Sequence, residues 1–125
     1  MHWSFENFRS PDYVLILAGG RFTDKDFANM LYDLYRLEYW RPLMPLLLDE
    51  RDVDTSPVSA EQLSNAAQLF VDQNSRLAYT KIAVVLGSPG AMRLAERFQN
   101  ALGAQSKAVV EAFLDRKKAE DWLLA

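Results

Sequence analysis

The sequence of 125 residues contains no cysteine and only one histidine. The lack of cysteine excludes disulfide frameworks, thiolate nucleophiles and thiolate zinc sites, and it is compatible with a reducing compartment. His2 lies near a chain terminus, which is usually mobile, whereas catalytic triads need an imidazole that a third group holds in place. We therefore expect neither serine–histidine–acid nor cysteine–histidine catalysis.

Long apolar runs are also absent. No stretch reaches the roughly 20 apolar residues that span a bilayer, and Met1–Glu6 lacks the basic-then-apolar layout of a signal peptide. The net charge of -3 comes from interspersed acidic and basic residues, so no basic stripe is available to neutralise nucleic-acid phosphates. These absences predict a cytoplasmic protein with no integral membrane segment and no nucleic-acid partner.

The composition is that of an ordinary globular domain. Hydrophobic residues make up 50% of the chain and charged residues 25%, which is neither a disordered nor a fibrous composition. A chain of this length suits one domain with one core. We therefore expect a single domain over residues 1–125.

Apolar runs and turn signals alternate along the chain in a strand-then-helix order. Helices are predicted from Asp24 to Tyr39 after a Thr23 cap, from a Ser59 cap to about Gln73–Ser75, from Pro89 to Gly103, and after an Asp115 cap. A polar loop is predicted over Glu50–Pro57. Strands are predicted over Trp3–Phe8 and Tyr13–Ala18, which form a hairpin, and over Met44–Asp49, Lys81–Leu86 and Lys107–Phe113.

This order of elements predicts an α/β fold with a mainly parallel sheet of roughly four to five strands and about four helices. The inner strands are apolar at successive positions, as in Leu46–Leu48 and Ile82–Leu86. Strands of this kind are buried on both sides. We therefore expect helices, a second subunit or a bound apolar group to cover each face of the sheet.

Five short segments carry a resemblance to a known family: Gly20–Phe27, Leu48–Asp52, Lys81–Val85, Val110–Asp115 and Ala119–Leu123. They resemble the SpoIIAA-like branch of the STAS fold, which includes the anti-sigma-factor antagonists. The resemblance implies a small sheet with covering helices and a non-enzymatic regulatory or protein-binding role. In some relatives it extends to the lipid-carrying CRAL-TRIO domains.

The same resemblance suggests a phosphorylation switch. In the antagonists, the phosphorylated serine follows an aspartate at a helix start, and the nearest string here is Asp54-Thr55-Ser56. Pro57 stands where that pattern has a small residue or glycine, and the spacing from Asp49 is shorter than in the family. The candidate sites are Thr55, Ser56 and Ser59; the alternative is a plain loop followed by the Ser59 cap.

Two further groups of residues have a functional and a structural interpretation. Asp49, Glu50 and Asp52 fall where a parallel sheet presents its carboxyl edge, so they form either a metal-assisted hydrolytic site or a solvated loop. Their spacing fits no metal motif, and we predict neither a metal nor a cofactor. The turn Gly87–Gly90 either holds an anion or simply begins a helix.

The first predicted helix has more apolar surface than one sheet requires. Tyr32, Tyr35 and Tyr39 widen its apolar arc to roughly 200 degrees, and Phe22 and Trp40 lie nearby. These rings either pack under loops or line an interface or apolar pocket. We assign the five residues to a ligand or partner surface. The partner is another protein or a second copy of the chain, which would form a dimer. The alternative is that the protein is a carrier or sensor of a small apolar or lipid-like molecule.

Overall fold

A computed structural model describes all residues from 1 to 125 as a five-stranded sheet with helices on both faces. The strands follow one another across the sheet in chain order, the first pair antiparallel and the others parallel. The predicted mainly parallel α/β architecture is thereby confirmed. The strands are β1 (His2–Phe8), β2 (Tyr13–Arg21), β3 (Leu46–Asp54), β4 (Lys81–Val85) and β5 (Val109–Phe113).

The helices begin at the polar residues that the sequence supplies as caps. The Thr23 hydroxyl accepts a hydrogen bond from the Asp26 amide at 3.0 Å, and Ser59 forms a complete capping box with Gln62. Asp115 caps the last helix in the same way. These three predicted caps are confirmed. The helices are α1 (Asp24–Tyr35), α2 (Ala60–Val71), α3 (Asn74–Leu77), α4 (Pro89–Leu102) and α5 (Arg116–Leu123), and a 3-10 turn covers Gly103–Gln105.

The uniform strand order decides how the helices are distributed. Each crossover after β2 moves to the next strand in the same direction, and right-handed crossovers of this kind place their helices on one face. The core on that face includes side chains from α1, α2 and the end of α4. The opposite face is covered by α5, whose Ala119 and Leu123 pack on Leu15, Leu47, Ala83 and Val85. Both faces of the inner strands are therefore covered, as their apolar sequence requires.

Several predicted boundaries differ from the observed ones, and two of the differences change how the chain is described. The first helix ends at Tyr35 rather than Tyr39, because the amides of Arg36 and Leu37 bond to carbonyl groups three residues earlier and tighten the chain into turns. In addition, the predicted loop Glu50–Pro57 is a strand as far as Asp54. That extension pairs with the end of β2, beyond the last residue of β4, so only one of its edges is paired with another strand. Its residues Arg51, Asp52 and Asp54 are exposed.

No helix combines the length and the apolarity that a bilayer-spanning segment requires.

Candidate functional site: an apolar cavity containing Glu50

An apolar cavity of about 120 Å³ lies between the sheet and the helices α1, α2 and α4, which cover the same face of the sheet. Its wall is formed by 22 residues, of which 19 are hydrophobic. The sheet contributes side chains such as Leu48 and Val84, and α4 contributes Leu94 and Phe98. The three polar residues in the wall are Glu50, Thr55 and Gln99.

The cavity exists because the middle of α4 does not close onto the sheet. Ala91 and Leu102 are buried near the two ends of this helix, whereas Leu94 and Phe98 between them are only half-buried. Beneath them, Val84 in the middle of β4 is also half-buried, which is unusual for a central strand. The space under α4 is therefore connected to solvent.

Aromatic rings stiffen one end of the cavity. Phe27 from α1 lies with its ring centre 6.3 Å from that of Phe70 in α2, and the two rings are nearly parallel. Phe98 from α4 meets both of them edge-on, at 6.3 Å and 5.9 Å. Phe22 extends the cluster from the other side of Phe27, at 6.0 Å. Edge-on and offset ring pairs are favourable, so this wall is well defined.

Glu50 reaches the cavity from an irregular part of β3. Between the pairs Leu17–Asp49 and Gly19–Asp52, β3 has one residue more than β2, so that Glu50 and Arg51 form a bulge. Bulges of this kind redirect side chains and are frequent beside functional sites. Gly87 packs on the bulge so closely that a β-carbon there would lie 2.5 Å from the Arg51 carbonyl oxygen.

The carboxyl group of Glu50 has no hydrogen-bond or ion-pair partner among the side chains and amides around it. Burial among apolar side chains, reinforced by the negative charge of Asp49, raises the pKa of Glu50 from 4.5 to about 7. An ordinary glutamate would be fully ionised at neutral pH. Here the charge state of the cavity changes in the physiological range.

Comparisons with known proteins yielded a structural likeness at the level of the fold. No family model and no curated sequence matches the chain. A similar crystal structure is that of an uncharacterised protein of the DUF3478 family from Shewanella loihica PV-4, which has a SpoIIAA-like fold. The TM-score is 0.59 at 20% sequence identity, over 98% of this chain and 92% of that one. This chain has the SpoIIAA-like fold. The resemblance read from the sequence is confirmed at the level of the fold, and function must be argued from the site.

The acidic residues predicted as a cluster are separated in this SpoIIAA-like domain. Asp49 faces the side of the sheet opposite to Glu50, where its carboxylate accepts hydrogen bonds from Nε and Nη2 of Arg51 at 3.0 Å and 2.7 Å. Burial acts to raise the pKa of Asp49, but the bonds from Arg51 outweigh it and lower that pKa. Asp52 lines the same polar cleft as Asp49. No group of three acidic or histidine side chains is positioned to hold a metal ion, so the hydrolytic arrangement of Asp49, Glu50 and Asp52 is not formed.

The five aromatic residues predicted as a common surface lie in different surroundings. Phe22 lines the cavity. The Tyr35 hydroxyl donates to Oε1 of Gln73 at 2.8 Å, and its ring packs against Trp40 with ring centres 5.0 Å apart. Tyr39 and Trp40 pack against the edge of the main core, while Tyr32 is 50% exposed. Tyr35, Tyr39 and Trp40 thus pack against other parts of the domain, and a ligand or partner surface formed by the five residues remains a prediction.

The candidate phosphorylation residues also differ from one another. The exposed Ser56 donates its hydroxyl hydrogen to Asp54 at 2.7 Å. Ser59 is engaged as the cap of α2, and Thr55 is part of the cavity wall. Phosphorylation of any of them remains a prediction.

Sequence reasoning missed Glu50 as a cavity residue because it placed this residue in a loop. A signal was present, since Leu46, Leu48 and Glu50 share one face if the strand continues with its period of two. The run Leu46–Leu48 conceals that alternation, because the intervening Leu47 is equally apolar and belongs to the second core.

Proposed function

We propose that this SpoIIAA-like domain is a non-enzymatic carrier or sensor of a small apolar molecule, which it binds in the cavity beneath α4. The cavity itself carries the proposal, since it is apolar, connected to solvent and about 120 Å³ in volume. Cavities of roughly 150 Å³ lined by leucine, isoleucine and phenylalanine bind benzene. The matching ligand is thus a single ring or a short chain, and a long acyl lipid does not fit this volume.

The polar groups of the wall support binding rather than catalysis. The Gln99 side-chain amide donates to the Val110 carbonyl oxygen at 3.0 Å and so ties α4 to β5. Nucleophilic catalysis requires a nucleophile within hydrogen-bond reach of a base that a further group orients. Neither Thr55 nor Glu50 belongs to such an arrangement, because the two make no hydrogen bond to each other.

A matched pair of alanine substitutions in α4 tests the proposal. Ala95 lines the cavity, whereas Ala101 on the same helix is exposed. In an NMR titration, toluene should shift the methyl signals of Leu48 and Val84 in the natural protein and in the Ala101→Leu variant. Ala95→Leu fills the space and should abolish the shifts. Equal shifts in the two variants, or none in the natural protein, would overturn the proposal.

Self-association through α1 is a second candidate function. The observation that favours it is the half-exposed ring of Tyr32 on the surface of α1, because exposed tyrosines are enriched at protein interfaces. A second copy of the chain is the partner that this candidate specifies. Sedimentation should then show a dimer that Tyr32→Ser converts to a monomer, and a natural chain that is monomeric at every concentration would exclude it.

A further inference from the structure

The carboxyl group of Glu50 is the feature of the cavity that binding of a plain hydrocarbon leaves unexplained. Of the residues in the cavity wall, only Glu50 is titratable, and the wall residues from α1, α2, α4 and β5 include no charged side chain. The charged group that acts on the Glu50 carboxyl is Asp49, which lies on the other face and is already paired with Arg51. When Glu50 is ionised, the protein offers no cation to balance it.

The chain donates no hydrogen bond to the Glu50 carboxyl group, so a bound molecule can supply one. The Gln99 amide is engaged with the Val110 carbonyl oxygen, and the Thr55 hydroxyl makes no bond to Glu50. An ammonium group carries several donors together with the missing positive charge, and charge-assisted hydrogen bonds are about twice as strong as neutral ones. A bound carboxylate would instead add a second negative charge to the cavity.

We propose that the cavity selects single-ring primary amines, whose ring occupies the apolar space while the ammonium group pairs with the Glu50 carboxylate. This inference rests on the proposed function, since it names the chemical class of the ligand for the same cavity. Glu50 provides charge selectivity, and the rings of Phe27, Phe70 and Phe98 provide the apolar contact.

The pairing makes binding dependent on pH. A primary alkylamine stays largely protonated near pH 8, so the ionisation of Glu50 determines whether the ion pair forms. As the pH falls, the carboxyl group gains a proton and loses its charge, and the advantage of an amine over an uncharged ring disappears. A neutral ring depends only on the apolar wall, and its affinity should change little.

The test compares benzylamine, toluene and benzoate as probes of the natural protein, Glu50→Gln and Glu111→Gln. Glu111 is an exposed carboxylate on β5 and serves as the matched control. At about pH 8, benzylamine should bind the natural protein and Glu111→Gln at least about tenfold more tightly than toluene, and benzoate more weakly than either. In Glu50→Gln the advantage of benzylamine should vanish while toluene still binds, which also shows that the variant is folded. Between about pH 8 and pH 5.5 the advantage should disappear in the natural protein, because the Glu50 carboxyl group gains a proton.

The outcomes separate the two proposals. If toluene binds but benzylamine has no advantage, or if Glu50→Gln keeps that advantage, the amine inference is wrong and the apolar cavity still stands as a binding site. If neither toluene nor benzylamine binds, the proposed function is wrong and the inference falls with it.

Discussion

Asp49 and Glu50 are neighbours in β3, yet their carboxyl groups lie on opposite faces of the sheet and in opposite electrostatic surroundings. Asp49 is held by Arg51 at 2.7 Å, with Arg116 at 4.0 Å, whereas Glu50 is half-buried among the apolar side chains of the cavity wall. The pKa of Asp49 is lowered and that of Glu50 is raised. Asp49 is paired with Arg51, whereas Glu50 has no partner of opposite charge. The negative charge of Asp49 also makes ionisation of Glu50 less favourable.

Glu50→Gln should make the protein less sensitive to pH. The pKa of Glu50 is about 7 in the folded state against 4.5 for an ordinary glutamate, so ionisation opposes folding as the pH rises between these values. Urea unfolding should show Glu50→Gln to be more stable than the natural protein at about pH 8, by up to about 3 kcal/mol, and equal to it near pH 4. If the two proteins differed in unfolding free energy by the same amount at both pH values, the ionisation of Glu50 would not be the cause.

Asp49→Asn should lower the pKa of Glu50. The substitution removes the negative charge that raises the pKa of Glu50, and its absence favours the ionised glutamate. The carboxyl carbon signal of Glu50, followed by NMR through a pH titration, reports this directly. Asp52→Asn is the control, because Asp52 is exposed and does not contribute to the raised pKa of Glu50.

The same Asp49→Asn protein should be less stable near neutral pH, by about 1–3 kcal/mol, because a buried set of charge-assisted hydrogen bonds is weakened. The lowered pKa of Asp49 means that its contribution is present above the ordinary aspartate value of 3.8 and disappears as the pH falls through the folded-state value. At low pH, the variant and the natural protein should therefore have nearly equal free energies of unfolding.

Gly87→Ala should destabilise the fold and displace the bulge that presents Glu50. The new methyl group would meet the Arg51 carbonyl oxygen at 2.5 Å, and backbone atoms cannot move aside as a flexible side-chain end can. We expect a loss of about 1–3 kcal/mol in unfolding free energy. At Gly90 in α4 the nearest atoms would lie 3.7 Å away or more, so Gly90→Ala should be neutral or slightly stabilising. Equal effects at the two positions would refute this explanation.

Ser59→Ala should lower the free energy of unfolding by about 1 kcal/mol, because it removes the side-chain half of the α2 capping box. Ser56→Ala removes only an exposed bond to Asp54 and should cost less. Thermal unfolding of the two variants distinguishes a structural serine from one that is available for modification.

The elements of this fold could be predicted where local signals act alone. The caps at Thr23, Ser59 and Asp115 and the apolar runs of β2 and β4 are short-range features, and they gave correct elements. The extension of β3 could not be predicted in the same way, because Glu50 to Asp54 become a strand only by pairing with β2. The cavity depends on how far α4 stands from the sheet, which is set by packing between residues distant in sequence.

The aromatic prediction shows the same limit. Tyr35 and Trp40 are apolar enough to mark a surface, but the sequence does not reveal that Gln73 and Arg76 fold over Tyr35. Phe22 lines the cavity because it pairs with Phe27 across the start of α1. Phe22 therefore belongs to the cavity wall and not to a common surface with the three tyrosines of the predicted first helix.

Because α5 lies alone on one face of the sheet, substitutions in α5 and in α4 affect different layers of the protein. No residue of this helix lines the cavity, and its contacts include the smaller core, the polar cleft and Lys81 of β4. Substitutions in α5 can therefore change the outer side of the sheet while the cavity keeps its shape. Substitutions in α4 have the opposite effect, because they change the shape of the cavity and leave the smaller core beneath α5 intact.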